Sequence, residues 1–120
     1  MLVDTSVWID HFRRRNSRLW DLLEAAQVWI HPFVIGDLAC GNVSRRAEVI
    51  GLLAALPKVP LVDHEEVLDF IAAQRLHGRG LGWVDMHLLA CARLANLPLW
   101  TLDRRLASVA AELSLKPPAP

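Results

Sequence analysis

Four aspartates carry the chemistry that this sequence offers. Asp4 in LVDTSVW, Asp85 in GWVDMHLLA and Asp103 in LWTLDRRL each sit where an apolar run gives way to a helix-like stretch. Asp37, in FVIGDLACG, stands among apolar neighbours and is expected to be buried there. With strands and helices alternating, Asp4, Asp85 and Asp103 land at strand C-terminal ends or at the helix starts beside them. That is the edge at which open α/β sheets keep their sites. Carboxylates brought together repel one another unless a cation sits between them. Hard oxygen donors of this kind select Mg²⁺ or Mn²⁺.

Each acid also has a plain structural reading. Asp4 and Asp103 suit helix N-caps, and Asp85 suits the positive end of a helix dipole. Asp37, if buried without a partner, is costly and needs an Arg or a metal. The coincidence of all four favours a shared site. Asp10, Asp21, Asp63 and Asp69 lack that context and read as surface or capping residues.

The elements that must position these acids follow from the apolar pattern. Residues 1–3 predict a short buried strand, followed by a helix capped at Thr5 or Ser6 and running through Phe12. Residues 13–16 read as a loop, and Ser17 as the cap of a second helix. Residues 27–31 predict a strand, Pro32 a helix start, and residues 33–40 a helix closed by Gly41-Asn42. A helix over 45–55 stops near Pro57. Residues 59–62 predict an edge strand, because Pro60 lacks a donor. Asp63 caps a helix to about His77, Gly78, Gly80 and Gly82 mark a loop, and residues 84–95 predict an apolar helix. A strand over 97–101 and a helix from Asp103 to about Leu113 complete the chain. This alternation predicts an α/β fold: a central parallel sheet in an α/β/α sandwich, built as one domain over residues 1–120.

Composition narrows the function classes. A hydrophobic share of 53% in 120 residues supports a sizeable core and excludes a disordered chain. Net charge is zero, so no overall field draws the chain to nucleic acid or anionic lipid. Local phosphate contacts remain open to the arginine groups 13–15, 45–46 and 104–105, which otherwise read as solvated helix faces. No apolar run is long enough to span a bilayer, and no signal peptide is expected. Cys40 and Cys91 belong to no ligand pair and are expected to be small buried hydrophobes, reduced as in a cytoplasmic protein. The five histidines show no zinc spacing. His87, close to Asp85, is expected to be exposed or satisfied in the core rather than to act. GRGLG precedes a helix without the strand that a phosphate loop requires, and no GxSxG elbow occurs. Trp83, beside Asp85, is placed to stack a base, although core or interface packing fits it as well.

Taken in order, LVDTSVW, HPFVIGDLACG and GWVDMHLLACARLANLPLWTLD resemble the PIN-domain ribonucleases over nearly the whole chain. Among these they are most similar to the VapC-type toxins of type II toxin–antitoxin modules. The resemblance implies a PIN-like fold and a metal-dependent endoribonuclease. It makes Asp4, Asp37, Asp85 and Asp103 the four acids of the site, both as catalytic residues and as ligands of Mg²⁺ or Mn²⁺. It makes Thr101, with Thr5 or Ser6, the supporting hydroxyl residues. It implies in-line hydrolysis that leaves a 3′-hydroxyl and a 5′-phosphate, on tRNA or rRNA. It also implies a small antitoxin protein that fills the cleft, a homodimer, and a cytoplasmic location. One position departs from the family pattern: the second acid is usually Glu, and Asp37 is one methylene shorter. Two related readings stay open, a housekeeping RNA-processing nuclease and a non-catalytic or weakened PIN-fold binding subunit. A receiver or haloacid-type phosphatase fits poorly, since Asp4 has no adjoining acid and no lysine occurs late in the sheet.

Overall fold

The computed structural model describes residues 1–120. Chain order is β1 (Leu2–Val3), α1 (Thr5–Arg14), α2 (Ser17–Glu24), α3 (Pro32–Cys40), α4 (Arg46–Ala54), α5 (His64–Gln74), α6 (Trp83–Ala95), β2 (Leu99–Trp100) and α7 (Arg104–Glu112). The alternation expected from the apolar pattern is present, and the sheet is parallel.

The sheet is narrow. β1 pairs in parallel with β2, Leu2 opposite Leu99 and Val3 opposite Trp100. On the other side of β1, Leu2 bridges to Trp29, and Ile30 bridges to Lys58, both in parallel. The strand anticipated at 27–31 is therefore reduced to single bridges at Trp29 and Ile30, and the one anticipated at 59–62 does not form; its bridge falls one residue earlier, at Lys58. Proline explains the shortening. Pro32 turns the chain into α3 directly after the Ile30 bridge and has no N–H to donate to the Val59 carbonyl, so the outer ladder stops after the Val59 bond to Ile30. The Lys58 segment lies at the edge, as Pro60 requires.

Helix boundaries follow capping chemistry. α1 is capped by Asp4, not by Thr5 or Ser6, and runs on to Arg14. An i,i+4 ion pair, Arg14 Nε to Asp10 Oδ1 at 2.6 Å, supports that last turn. Asn16 rather than Ser17 caps α2, accepting from the Leu19 N–H at 3.0 Å. Asp63 and Asp103 cap α5 and α7 as their positions suggested. α5 ends three residues short of His77, because Arg75 adopts a left-handed conformation at φ 53° and closes the helix there.

A continuous core of 25 residues joins the sheet to the helices. Its centre is α6, whose residues 86–92 are all buried. Half-exposed apolar side chains such as Ile35, Val62 and Phe70 close its rim. No helix is long and apolar enough to cross a membrane.

Leu88 is fully buried at the middle of α6. Leu88→Ala is expected to destabilise the fold by about 2–5 kcal/mol, the range for deleting a core leucine, read as a lower urea midpoint at unchanged m-value.

Candidate active site

Four elements converge on the carboxyl edge of β1 and β2. β1 delivers Asp4, whose N–H donates to the Trp100 carbonyl at 2.9 Å. That bond locks the end of one strand to the end of the next. The Asp4 side chain is buried, and its Oδ2 accepts from Ser6 Oγ at 2.7 Å and from Thr101 Oγ1 at 2.8 Å. Thr101 Oγ1 in turn accepts from the Asp103 N–H at 3.0 Å, and Ser6 Oγ accepts from the Leu102 N–H at 3.0 Å. Two hydroxyls thus bind the first acid, the turn after β2 and the fourth acid into one hydrogen-bonded unit. Asp103 Oδ1 is committed to capping α7, accepting from the N–H groups of Arg105 and Leu106.

Asp85 is the third residue of α6, and its Oδ2 accepts from the Gly82 N–H at 3.0 Å. The Asp85 carboxyl holds its proton more tightly than usual. Burial is the main cause; the Gly82 N–H opposes it, and the negative charges of Asp4, Asp103 and Asp37 add to it. The acids therefore feel one another, and the helix N-termini of α1, α6 and α7 set positive dipole ends behind three of them.

Asp37 departs from expectation. It is exposed, not buried. α3 turns Val34 and Leu38 to the core and leaves Gly36, Asp37 and Cys40 outside. The Asp37 side chain is tethered to α1, where Thr5 Oγ1 donates to its Oδ2 at 3.1 Å. Cys40 is exposed as well, so only Cys91 is the buried thiol anticipated for both.

No Arg, Lys or His forms an ion pair with any of the four acids; the three ion pairs of the chain lie elsewhere. In each carboxylate one oxygen is hydrogen-bonded within the protein. The other, Oδ1 of Asp4, Asp37 and Asp85 and Oδ2 of Asp103, accepts from no protein donor. As the side chains stand, no three donors are close enough to enclose an ion. The donor set nonetheless fits a hard divalent cation: only carboxylate oxygens, three of them on helix starts and strand ends and the fourth, Asp37, within α3.

The histidines lie away from this cluster. His31 caps α3, its Nδ1 accepting from the Phe33 N–H at 2.9 Å. Burial, with help from His87, pushes its pKa down to about 4, so it is neutral at physiological pH. His87 is buried and meets Phe33 and Trp83 edge-to-face, at 4.8 and 4.5 Å between ring centroids. Trp83 also packs on His64. His87 is thus held in an aromatic stack, and the ring of Trp83 is engaged by two histidines.

Across the glycine loop, Gly80 holds φ at +79°, and a Cβ there would lie 2.7 Å from Arg105 Nη1. The loop that leads into Asp85 is therefore packed under the Arg105 side chain of α7, and the left-handed backbone at Gly80 favours glycine there.

This geometry coincides with what the chain is related to. A family model described as PIN domain matches residues 1–112. The chain belongs to the PIN-domain family. It is 47% identical over 113 residues to Ribonuclease VapC32 of Mycobacterium tuberculosis, from both strain CDC 1551 / Oshkosh and strain ATCC 25618 / H37Rv. The alignment covers 93% of this chain and 91% of that protein. It is 26% identical to Ribonuclease VapC1 of Methanocaldococcus jannaschii, covering 97% of this chain and 85% of the relative. Among PIN domains the chain thus falls with the VapC ribonucleases. The hydroxyls that serve Asp4 were within reach of sequence reasoning. The Thr5 tether of Asp37 was not, since nothing in local spacing links residues 32 positions apart.

The Asp85 carboxyl yields a test with a definite sign. An acid whose pKa is higher in the folded state than in the unfolded chain weakens the fold as pH rises through that interval. With metal chelated, Asp85→Asn is expected to raise Tm near neutral pH. Its advantage should disappear as pH falls below the ordinary aspartate range. Thermal melts in chelator across that range check it, and a variant less stable at neutral pH would contradict a carboxylate held against burial and neighbouring charge.

Proposed function

We propose that this PIN-domain protein is a divalent-metal-dependent endoribonuclease that hydrolyses RNA phosphodiester bonds as the toxin of a toxin–antitoxin pair. Relatives named as VapC ribonucleases support the activity at 47% identity over most of the chain. The observation that carries the reading is the cluster of four carboxylates on four chain segments, each with one unpartnered oxygen and none with a basic partner.

Asp4 and Asp85 would hold the cation, with Asp103 and Asp37 completing its surroundings, directly or through water. When bound, Mg²⁺ or Mn²⁺ supplies charge neutralisation for a phosphodiester under attack and lowers the pKa of a water. The protein's part is positioning. Ser6 and Thr101 fix the carboxylate plane of Asp4 by two charge-assisted bonds, so that its free Oδ1 keeps one direction. The Gly82 N–H does the same for Asp85, and the first turn of α7 for Asp103. Asp37 is the adaptable member, exposed and held by one neutral hydroxyl. Its shorter side chain, where the family usually has Glu, suits contact through a bridging water.

The substrate in this reading is tRNA or rRNA, and the protein partner is a small antitoxin that covers the acids. The working unit is a homodimer in the cytoplasm. A binding subunit without catalysis is the second reading, and it rests on Asp37 alone.

Purified protein incubated with total small RNA is expected to give discrete cuts with Mg²⁺ or Mn²⁺ and none in EDTA. Asp4→Asn should lower kcat/KM by more than about 100-fold, beyond the 10–100-fold typical of outer-shell changes, and Thr101→Val by an amount within that interval. Asp37→Glu should tighten metal binding and raise the rate. Intact RNA under every metal condition, from folded protein free of partner, would sink the nuclease reading in favour of the binding subunit.

A further inference from the structure

Two arginines from the runs in the sequence are neutralised by carboxylates in the fold. Arg14 pairs with Asp10 and Arg45 with Glu48. Arg105 covers Gly80. The cations left without a carboxylate include three, from distant parts of the chain, that line one groove. Arg18 of α2, Arg104 of α7 and Lys116 of the C-terminal tail surround a groove of about 870 Å³, together with Trp100, Thr101 and Ser108.

Its construction is specific. The Arg18 guanidinium lies 4.8 Å over the Trp100 ring and donates to the Pro118 carbonyl, which fixes a planar cation at the wall. Ala107 and Ala111 of α7 and Pro117 of the tail also line it. None of its three cations forms an ion pair. In a protein of zero net charge, three uncompensated cations around one groove mark a place for anions.

The groove shares Thr101 with the acid cluster. Thr101 lines it and bonds Asp4 through its hydroxyl, and Arg104 directly follows Asp103. We propose that this groove binds the RNA backbone on one side of the cleavage point, with Arg18, Arg104 and Lys116 as phosphate contacts. The inference rests on the ribonuclease reading and adds to it the path of the strand. A chain whose reacting phosphate lies at Asp4 and Asp85 passes over Thr101 and enters the groove. The next phosphates meet Arg104, then Arg18 and Lys116. Arginine suits this task, since its fork engages phosphate oxygens while its plane is held by an aromatic ring. An acidic peptide would need the same charges but has no reason to run from the groove into a cluster of carboxylates.

The test separates binding from cleavage. Binding of a short fluorescein-labelled single-stranded RNA is followed by anisotropy in EDTA across a salt series, and cleavage of the same RNA is followed with Mn²⁺. The Arg104→Gln/Lys116→Gln variant removes two exposed side chains that make no hydrogen bond in the fold. The Arg75→Gln/Arg93→Gln variant removes the same charge outside the groove. The groove variant is expected to bind about 10-fold more weakly and to lose about 1.4 from the slope of log K against log salt, two phosphate contacts' worth. Its KM should rise with kcat kept, while the control matches wild type. Arg18→Gln should give a further loss and change the Trp100 fluorescence response to RNA. Wild-type cleavage with equal RNA affinity and salt slope in all variants would overturn the groove and leave the nuclease standing. Wild type that neither binds nor cuts RNA would overturn both. Loss of binding to a labelled glutamate-rich peptide, with RNA binding unchanged, would overturn the groove in favour of a protein ligand.

Discussion

The Thr101 hydroxyl is the point on which the rest of the site depends. It donates to Asp4 and accepts from the Asp103 backbone, so one oxygen fixes two of the four acids relative to each other. Beneath it, the Asp4 N–H to Trp100 carbonyl bond sets the register of β1 against β2. A sheet with ladders of only two residues could not hold two carboxylates in place by strand pairing alone. Side-chain hydrogen bonds across the strand ends do what longer strands do in wider sheets. The arrangement is also cooperative: Ser6 reaches both Asp4 and the Leu102 N–H, so losing any member leaves a buried polar group without its partner.

The same chemistry opposes folding. Asp85 holds its proton tightly first because it is buried and then because Asp4, Asp103 and Asp37 repel its charge. The core offsets it. α6 spends residues 86–92 wholly inside, and that burial holds Asp85 at the helix start against its neighbours. Helix dipoles offset a further share, because three of the acids stand at N-terminal turns. Ligand binding relieves what remains, so a cation that binds only the folded chain stabilises it as well.

Much of this was legible in the residues themselves. Asp4, Asp85 and Asp103 each followed an apolar run and stood at a helix start, and the fold places all three there. The capping roles of Asp63 and Asp103 were legible too, because a carboxylate ahead of an apolar-periodic stretch has few other uses. Asp37 was misread for a physical reason. α3 carries Phe33 and Cys40 on its outer face, so composition hid an amphipathic helix whose inward residues are Val34 and Leu38. The short central strands were overextended because buried apolar runs do not reveal how many residues find a ladder partner. The end of α5 at Arg75 had no signal, since left-handed closure usually recruits Gly or Asn.

Charge distribution resolves an apparent contradiction between neutrality and an RNA substrate. A protein with no net charge and four clustered acids should repel a polyanion. The repulsion is local, however, and so is its remedy. Acids gather at the strand ends where a cation is to be held, while unpaired cations line the groove beyond Thr101. Elsewhere Arg14 and Arg45 are neutralised by Asp10 and Glu48. Net charge thus conceals a dipolar surface that admits RNA in one orientation, with a single phosphate at the acids and its neighbours on the basic side. Screening at physiological salt acts over about 8 Å, so only phosphates in direct contact with these cations gain from them. In the proposed reading, affinity comes from the groove and chemistry from the acids, and Thr101 is common to both.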